Sequence, residues 1–234
     1  MATQQKQGKK KMPLDELKKG LDVDIVGAAA LSDWKGTKLE QTALRLLPQT
    51  KSVVVLAMEV YPEVLDLSAP ERTTGAASLN DLLDRHQEYI SSRLTKSAYD
   101  ITKSFHQRGL KALPLPAAGC PMDSRFQEAV FSYKHAGQAA GLGRIGWHSL
   151  LITPDFGPRV RLACCLTEAE LEPTSLEYDT ECAGCGICLE ICPAKAFHEP
   201  ETGEQYAINK YACCAYRGAA GGCSECMKLC PRGR

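Results

Sequence analysis

Residues 140–162 read AGLGRIGWHSLLITPDFGPRVRL, and how its glycines are taken decides the fold. Gly141, Gly143 and Gly146, with Leu142 and Ile145 between them, match the G-x-G-x-x-G dinucleotide fingerprint letter for letter. That fingerprint binds a pyrophosphate only where a strand leads into the glycines and a helix leaves them, because the helix N-terminus then meets the anion. Here the order is reversed. Glu128 to Ala140 reads as a helix, with Gly141 placed to cap its C-terminus. Ser149 to Thr153 is a short apolar run stopped by Pro154, which reads as a strand. A helix-to-strand turn aims carbonyls rather than amide donors at the glycines, so the doubly wound nucleotide fold is set aside.

Working outward, the strongest signal lies toward the C-terminus. The chain has 234 residues and 12 cysteines, nine of them between Cys182 and Cys230. Cys182-Ala-Gly-Cys185-Gly-Ile-Cys188-Leu-Glu-Ile-Cys192-Pro193 is the C-x2-C-x2-C-x3-C-P run of bacterial ferredoxins, in which three thiolates hold one 4Fe-4S cube and the fourth reaches its neighbour. The second set, Cys223-Ser-Glu-Cys226-Met-Lys-Leu-Cys230-Pro231, has Ala220 where a symmetric repeat places its first cysteine. The missing ligand therefore comes from Cys213 or Cys214. The expected assignment is Cys182, Cys185, Cys188 and Cys230 on one cluster, and Cys192, Cys213, Cys223 and Cys226 on the other. Two zinc sites are the competing reading, since zinc also takes four thiolates. The spacing, closed twice by proline, favours iron–sulfur cubes.

The body of the chain reads as an α+β or α/β domain. Leu14 to Lys19 suggests a short helix and Ser52 to Met58 a buried strand. Tyr61 to Ala77, with two prolines and Gly75, reads as a long loop. Asp81 to Arg108 carries Leu83, Ile90, Leu94, Ile101 and Phe105 on one stripe and stops at Gly109, the pattern of a long amphipathic helix. Leu110 to Leu115 returns as a strand, and Pro158 to Thr167 alternates as a half-buried one. Cys164 and Cys165 on that strand face opposite ways, Cys164 with Val160 and Leu162 as core. Cys120, between Gly119 and Pro121, sits in a loop that could reach a cofactor, and a structural role is the favoured reading. The expected boundaries are a disordered basic leader over 1–12, a cofactor domain over 13–176 and a two-cluster domain over 177–234.

Lysine plus arginine equals aspartate plus glutamate, 28 against 28, so no global field argues for nucleic acid or an anionic membrane. No apolar run approaches membrane-spanning length and the leader has no signal-peptide core, which predicts a soluble, cytoplasmic protein. Phosphate-loop, H-E-x-x-H and G-x-S-x-G motifs are absent.

Together, Ser132-Tyr-Lys134, Ala140 to Gly146, Leu150 to Leu162, Leu166-Thr167 and the trailing cysteine runs resemble the epoxyqueuosine reductase and reductive dehalogenase superfamily. Leu46-Leu-Pro48 leading into Lys51-Ser-Val-Val-Val is similar as well. The likeness runs in order over residues 40–234. It implies a nitroreductase-like α+β domain holding a base-off corrinoid (cobalamin) against one of two 4Fe-4S clusters. Electrons would enter at the outer cluster and pass to the inner one, and cobalamin would act on a small electrophilic substrate. A low-potential donor such as ferredoxin or flavodoxin and a homodimer complete the expectation.

On that resemblance Gly141, Leu142, Gly143, Ile145, Gly146, His148, Ser149 and Leu150 approach the corrinoid. Arg159 and Arg161 meet its tail phosphate or form ordinary salt bridges. In epoxyqueuosine reductases an aspartate thirteen residues before the alanine preceding G-L-G gives the proton. Its ungapped counterpart here is Gln127, while Asp123-Ser124 supplies an aspartate only with an insertion. The sequence also ends four residues after Cys230, where the family carries a tRNA-binding extension, and both departures argue against a tRNA substrate. Candidate proton donors are Asp123, Tyr133 and Lys134, with the Lys134 ammonium expected to acidify the Tyr133 phenol. The alternatives are an electron carrier serving another protein's corrinoid and an FMN-binding iron–sulfur reductase. The D-x-H-x-x-G corrinoid motif is absent, so no histidine is expected to ligate cobalt from below.

Overall fold

The computed structural model describes residues 11–67, 77–118, 120–175, 181–220 and 222–233. Most of the basic leader, the centre of the 61–77 segment and the expected domain boundary near 176 lie outside them.

The centre is a four-stranded sheet in the order β1-β2-β8-β3, antiparallel throughout. Its strands are β1 (Ile25–Ala30), β2 (Ser52–Glu59), β3 (Ala112–Leu115) and β8 (Val160–Thr167). The pleat sends alternate side chains to opposite faces, and both faces are covered. On one face Val54, Leu56 and Cys165 pack with Leu83, Ile90, Leu94, Ile101 and Phe105 of α4 (Ala77–Gln107). On the other, Val53, Val55, Cys164 and Leu166 pack with Leu39 and Ala43 of α2 (Lys38–Leu46) and Ala136 of α5 (Tyr133–Ala139). The chain is thus a three-layer α+β body, as the sequence pattern indicated, and Cys164 and Cys165 divide between the faces.

Several expectations need correction. β8 is not half-buried: Ala163 to Thr167 are closed on both faces, because the strand is central and takes β2 and β3 on either side. β3 tolerates Pro114 because it is the edge strand, where a missing N–H faces no partner. The 61–77 segment begins with a helix, α3 (Pro62–Leu67), Pro62 standing at its first position, where the absent N–H is harmless. The expected helix from Glu128 shortens to Tyr133–Ala139. Glu128–Ala129 instead pairs with Met122–Asp123 as a two-stranded hairpin, β5 with β4, turning at Gln127 with φ of +48°.

Gly141 closes α5 at φ of +68°, its N–H donating to the Gln138 carbonyl. The chain then forms a tight hairpin, β6 (Arg144–Ile145) against β7 (Leu151–Ile152). Beyond the sheet, the cysteine-rich region adds α6 (Ile187–Glu190), the hairpin β9 (Phe197–His198) with β10 (Ala207–Ile208), α7 (Lys210–Ala219) and α8 (Glu225–Lys228). Its small core is built on Cys192, Ala196 and Phe197, with Cys213 and Cys226 against them.

Candidate functional site

The glycines of residues 141–146 serve the hairpin itself. A Cβ on Gly143 would lie 1.9 Å from the Ile152 carbonyl oxygen, and one on Gly146 would lie 2.7 Å from Ile152 Cδ1 and 2.9 Å from His148 Cε1. Leu142 and Ile145 are buried in the core beside α5. At Gly143 and Gly146, protein atoms fill the space the missing side chain leaves. What the hairpin presents is its tip. The Gly146 N–H donates to the Leu150 carbonyl at 3.0 Å and the Ser149 N–H to the Gly146 carbonyl at 2.7 Å. Ser149 is held at φ of +65°, a conformation that costs a non-glycine residue energy and collects at functional sites.

Two cavities meet at this tip. The first, about 400 Å³, has His148, Ser149, Leu150 and Tyr133 on one wall with Val160, Arg161 and Leu162 of β8; Cys192, Cys213, Cys223 and Cys226 close it opposite. The second, about 580 Å³, is bounded by Trp34 and Leu39, by the β4–β5 hairpin at Gln127 to Val130, by Lys134 and His135, and by Tyr206 to Lys210. Ser149 and Ile208 border both.

Burial first, then Cys182, Cys185 and Cys230, pushes the Cys188 thiol up to about 11. Burial first, then chiefly Cys223, Cys213 and Cys192, pushes Cys226 up to about 12. Each of these thiols is thus buried among other cysteines of the C-terminal region. Among the described residues no three His, Cys, Asp or Glu side chains converge as a single ion requires. The first quartet is wrapped by Gly184 and Gly186 at φ of +63° and +74°. The Trp147 indole lies over Gly184, where a Cβ would come within 3.2 Å of it.

The proposed proton donors separate. Tyr133 and Lys134 are consecutive on α5 and project about 100° apart, Tyr133 into the first cavity and Lys134 into the second. The Tyr133 hydroxyl donates to the Pro116 carbonyl at 2.8 Å. Burial raises its phenol above the usual range, so the expected acidification by Lys134 is overturned. Asp123 lies on the outer hairpin, bordering neither cavity. Its carboxylate pairs with Arg125 at 2.8 Å, which holds it below the usual range and unsuited to give a proton at neutral pH. Lys134 donates to Ser149 Oγ and stands 3.9 Å from the centre of the Tyr206 ring. Burial, then the Lys210 charge, lowers it to about 8.

Arg159 pairs with Glu59 and also donates to the Val60 carbonyl, which is the ordinary salt bridge rather than a phosphate contact. Arg161 faces the first cavity, held by Gln87 Oε1 at 3.0 Å. Gln127 borders the second cavity, its Oε1 accepting from the Cys214 thiol at 3.0 Å. Sequence reasoning missed Trp34, Lys38, Tyr206, Lys210 and Arg217. The one available signal was the unusually long interval between Cys192 and Cys213, which carries Tyr206 into the second cavity and Ile208 into both.

No protein-family model matches the chain. Epoxyqueuosine reductase of Staphylococcus aureus is 25% identical over 238 residues, covering 95% of this chain and 59% of its own length. Tetrachloroethene reductive dehalogenase of Sulfurospirillum multivorans is 33% identical over 108 residues, covering 39% of this chain and 22% of its own. Among solved structures, a reductive dehalogenase described with a mechanism for B12-dependent dehalogenation superposes with a TM-score of 0.66 at 19% identity, over 91% of this chain and 30% of that one. An epoxyqueuosine reductase with a modified tRNA stem loop gives 0.55 at 20% identity, over 94% and 64%. The chain is similar to the epoxyqueuosine reductases over nearly its whole length and to the reductive dehalogenases over a shorter stretch of sequence. Its core carries their mixed α+β fold, and it spans well under two thirds of the length of those two curated relatives. Among the described residues no helix is long and apolar enough to cross a membrane.

Proposed function

We propose that the protein is a cobalamin-dependent iron–sulfur reductase acting on a small electrophilic substrate. The observation that carries this reading is the first cavity, where the second cysteine quartet faces the tip of the β6–β7 hairpin and the open end of β8. A redox group seated there would touch the thiol-bound cluster on one side and open toward the second cavity on the other. The lining suits such a group chemically: Arg161 and Arg217 on the cavity wall suit a phosphate-bearing tail, and His148 has a buried polar atom with no partner.

Cys182, Cys185, Cys188 and Cys230 would hold the outer 4Fe-4S cluster, and Cys192, Cys213, Cys223 and Cys226 the inner one. When bound, the corrinoid would supply the reducing metal centre. This chain's own part is to orient it with His148, Ser149, Leu150 and Arg161, to hold the substrate between Trp34, Val130 and Tyr206, and to keep a proton on Lys134 Nζ where the cavities meet. An ammonium whose pKa is lowered toward neutrality is a serviceable general acid. Gln127, standing where relatives place a proton-donating aspartate, lines the chamber without an acidic proton. A low-potential ferredoxin or flavodoxin would deliver electrons at the outer cluster, where Cys185 is exposed.

Anaerobic reconstitution with iron and sulfide, addition of hydroxocobalamin and desalting test the reading. About eight iron and one cobalt per chain is the expected result. Iron without retained cobalt overturns it in favour of an electron carrier, and retained flavin in favour of an FMN enzyme.

A further inference from the structure

His148 is 3% exposed. Its Nε2 is the buried side-chain nitrogen or oxygen that lacks any hydrogen-bond partner among the described residues. A buried donor left unmade is costly, and the fold gives up further freedom to keep it. Gly146 has no side chain, and a Cβ there would press on the ring at 2.9 Å from Cε1 and 3.3 Å from Nε2. Ser149, the next residue, is held in the left-handed region. The tautomer is also fixed. The Leu150 backbone N–H donates to Nδ1 at 3.1 Å, so Nδ1 is an acceptor and the proton of the neutral ring sits on Nε2. The ring borders the cavity closed by the second cysteine quartet.

We propose that His148 is the buried hydrogen-bond donor to the corrinoid, giving Nε2–H to a peripheral amide carbonyl, and that it is not a ligand to cobalt. The inference rests on the corrinoid reading above. A protonated Nε2 has no lone pair for a metal, and the lone pair on Nδ1 is taken by Leu150. An uncharged donor suits an uncharged amide oxygen, whereas a tail phosphate is matched by Arg161 and Arg217 on the same cavity. Because Nε2 is closed to solvent, docking requires a small adjustment of the cavity wall.

Two substitutions separate the two nitrogens. In His148→Asn the short amide oxygen stands near Nδ1 and keeps the Leu150 contact, while the donor is lost. In His148→Gln the longer amide carries an N–H toward the Nε2 position. The iron–sulfur-reconstituted wild-type and variant proteins are titrated anaerobically with hydroxocobalamin, and retained cobalt, thermal midpoint before addition and the Co(II) EPR spectrum are recorded. The Asn variant is expected to bind about tenfold more weakly, equivalent to about 1.4 kcal/mol, with an unchanged or higher midpoint before addition. The Gln variant is expected to stay within about threefold of wild type, the size of a modest hydrogen-bond difference.

Wild-type affinity in the Asn variant overturns the hydrogen bond and leaves the corrinoid reading standing; failure of the wild type to retain cobalt overturns both. Nitrogen splitting in the wild-type spectrum that the Asn variant abolishes identifies His148 as a ligand and refutes the donor role. If the Asn variant does not fold, the Gln variant decides: retained affinity without nitrogen splitting supports the donor, and a tenfold loss overturns it.

Discussion

Replacing Gly143 with alanine tests whether the hairpin that carries the site is packed as described. The added Cβ would stand 1.9 Å from the Ile152 carbonyl oxygen, 2.7 Å from its carbon and 3.2 Å from Thr153 Cα. All three are backbone atoms, so no side chain can turn aside. Relief requires β6 to lift from β7 by about 1 Å or more, since overpacked groups separate to ordinary contact. That movement strains the pairing of Arg144 with Ile152 and of Ile145 with Leu151. Overpacking costs about 1–3 kcal/mol and each weakened backbone hydrogen bond about 1 kcal/mol, which gives a loss on the order of 3 kcal/mol. For a chain of this size that corresponds to a fall in melting temperature of about 6–12 °C. Gly36→Ala is the control. Gly36 has φ of +81° with nothing within 4 Å of a built Cβ, so it carries the left-handed backbone penalty alone, about 1–2 kcal/mol. Urea unfolding followed by far-UV circular dichroism measures both under anaerobic conditions. A Gly143→Ala variant no less stable than Gly36→Ala would refute the close approach of β6 to β7.

Lys134 has a folded pKa of about 8 against an ordinary 10.5. Between those values the unfolded chain holds a proton that the folded one has released, so stability rises as pH climbs from about 8 to 10.5 and the burden is greatest below 8. At 1.36 kcal/mol per pH unit the full span is on the order of 3 kcal/mol; Lys134→Met should flatten the rise relative to wild type in denaturation at several pH values. Cys213→Ser should retain roughly half the iron of the wild type after reconstitution while Cys214→Ser retains about all of it, as iron assay and visible absorbance will report. Arg159→Met strands the mostly buried Glu59 carboxylate and should cost on the order of 3 kcal/mol, with the double variant Glu59→Met, Arg159→Met recovering most of that loss in the same unfolding assay.

What could be read from the sequence was whatever a period or a spacing encodes. The stripe of Leu83 to Phe105 marks α4 and the apolar run at Ser52 marks β2. Gly141 was legible as a helix cap because a glycine after an apolar helix has few other uses. What stayed hidden depends on neighbours distant in the chain. β1 has alanines and a glycine where a strand normally shows branched residues; Gly27 is there because Leu142 and Ala140 press on it. The Tyr133–Lys134 pair looked cooperative in sequence, but helical geometry divides it between two cavities. Gly143 and Gly146 resemble a ligand loop in letters, while the atom each makes room for belongs to the protein itself. Tyr206, Trp34 and Lys210 belong to no local motif, and only the fold gathers them.

β8 joins its two ends to very different surroundings. Residues from Ala163 onward are clamped in the middle of the sheet, and Val160 to Leu162 run out to the cavity beside the second cysteine quartet. The strand behaves as a beam fixed at one end, so that part of the wall beside the cysteines inherits the stiffness of the core. The neighbouring chamber is walled by a two-residue hairpin, the first turns of α2 and a connecting segment between cysteines. Substitutions can reshape that chamber without loosening the beam, so its shape can drift over evolutionary time while the wall beside the cysteines stays put.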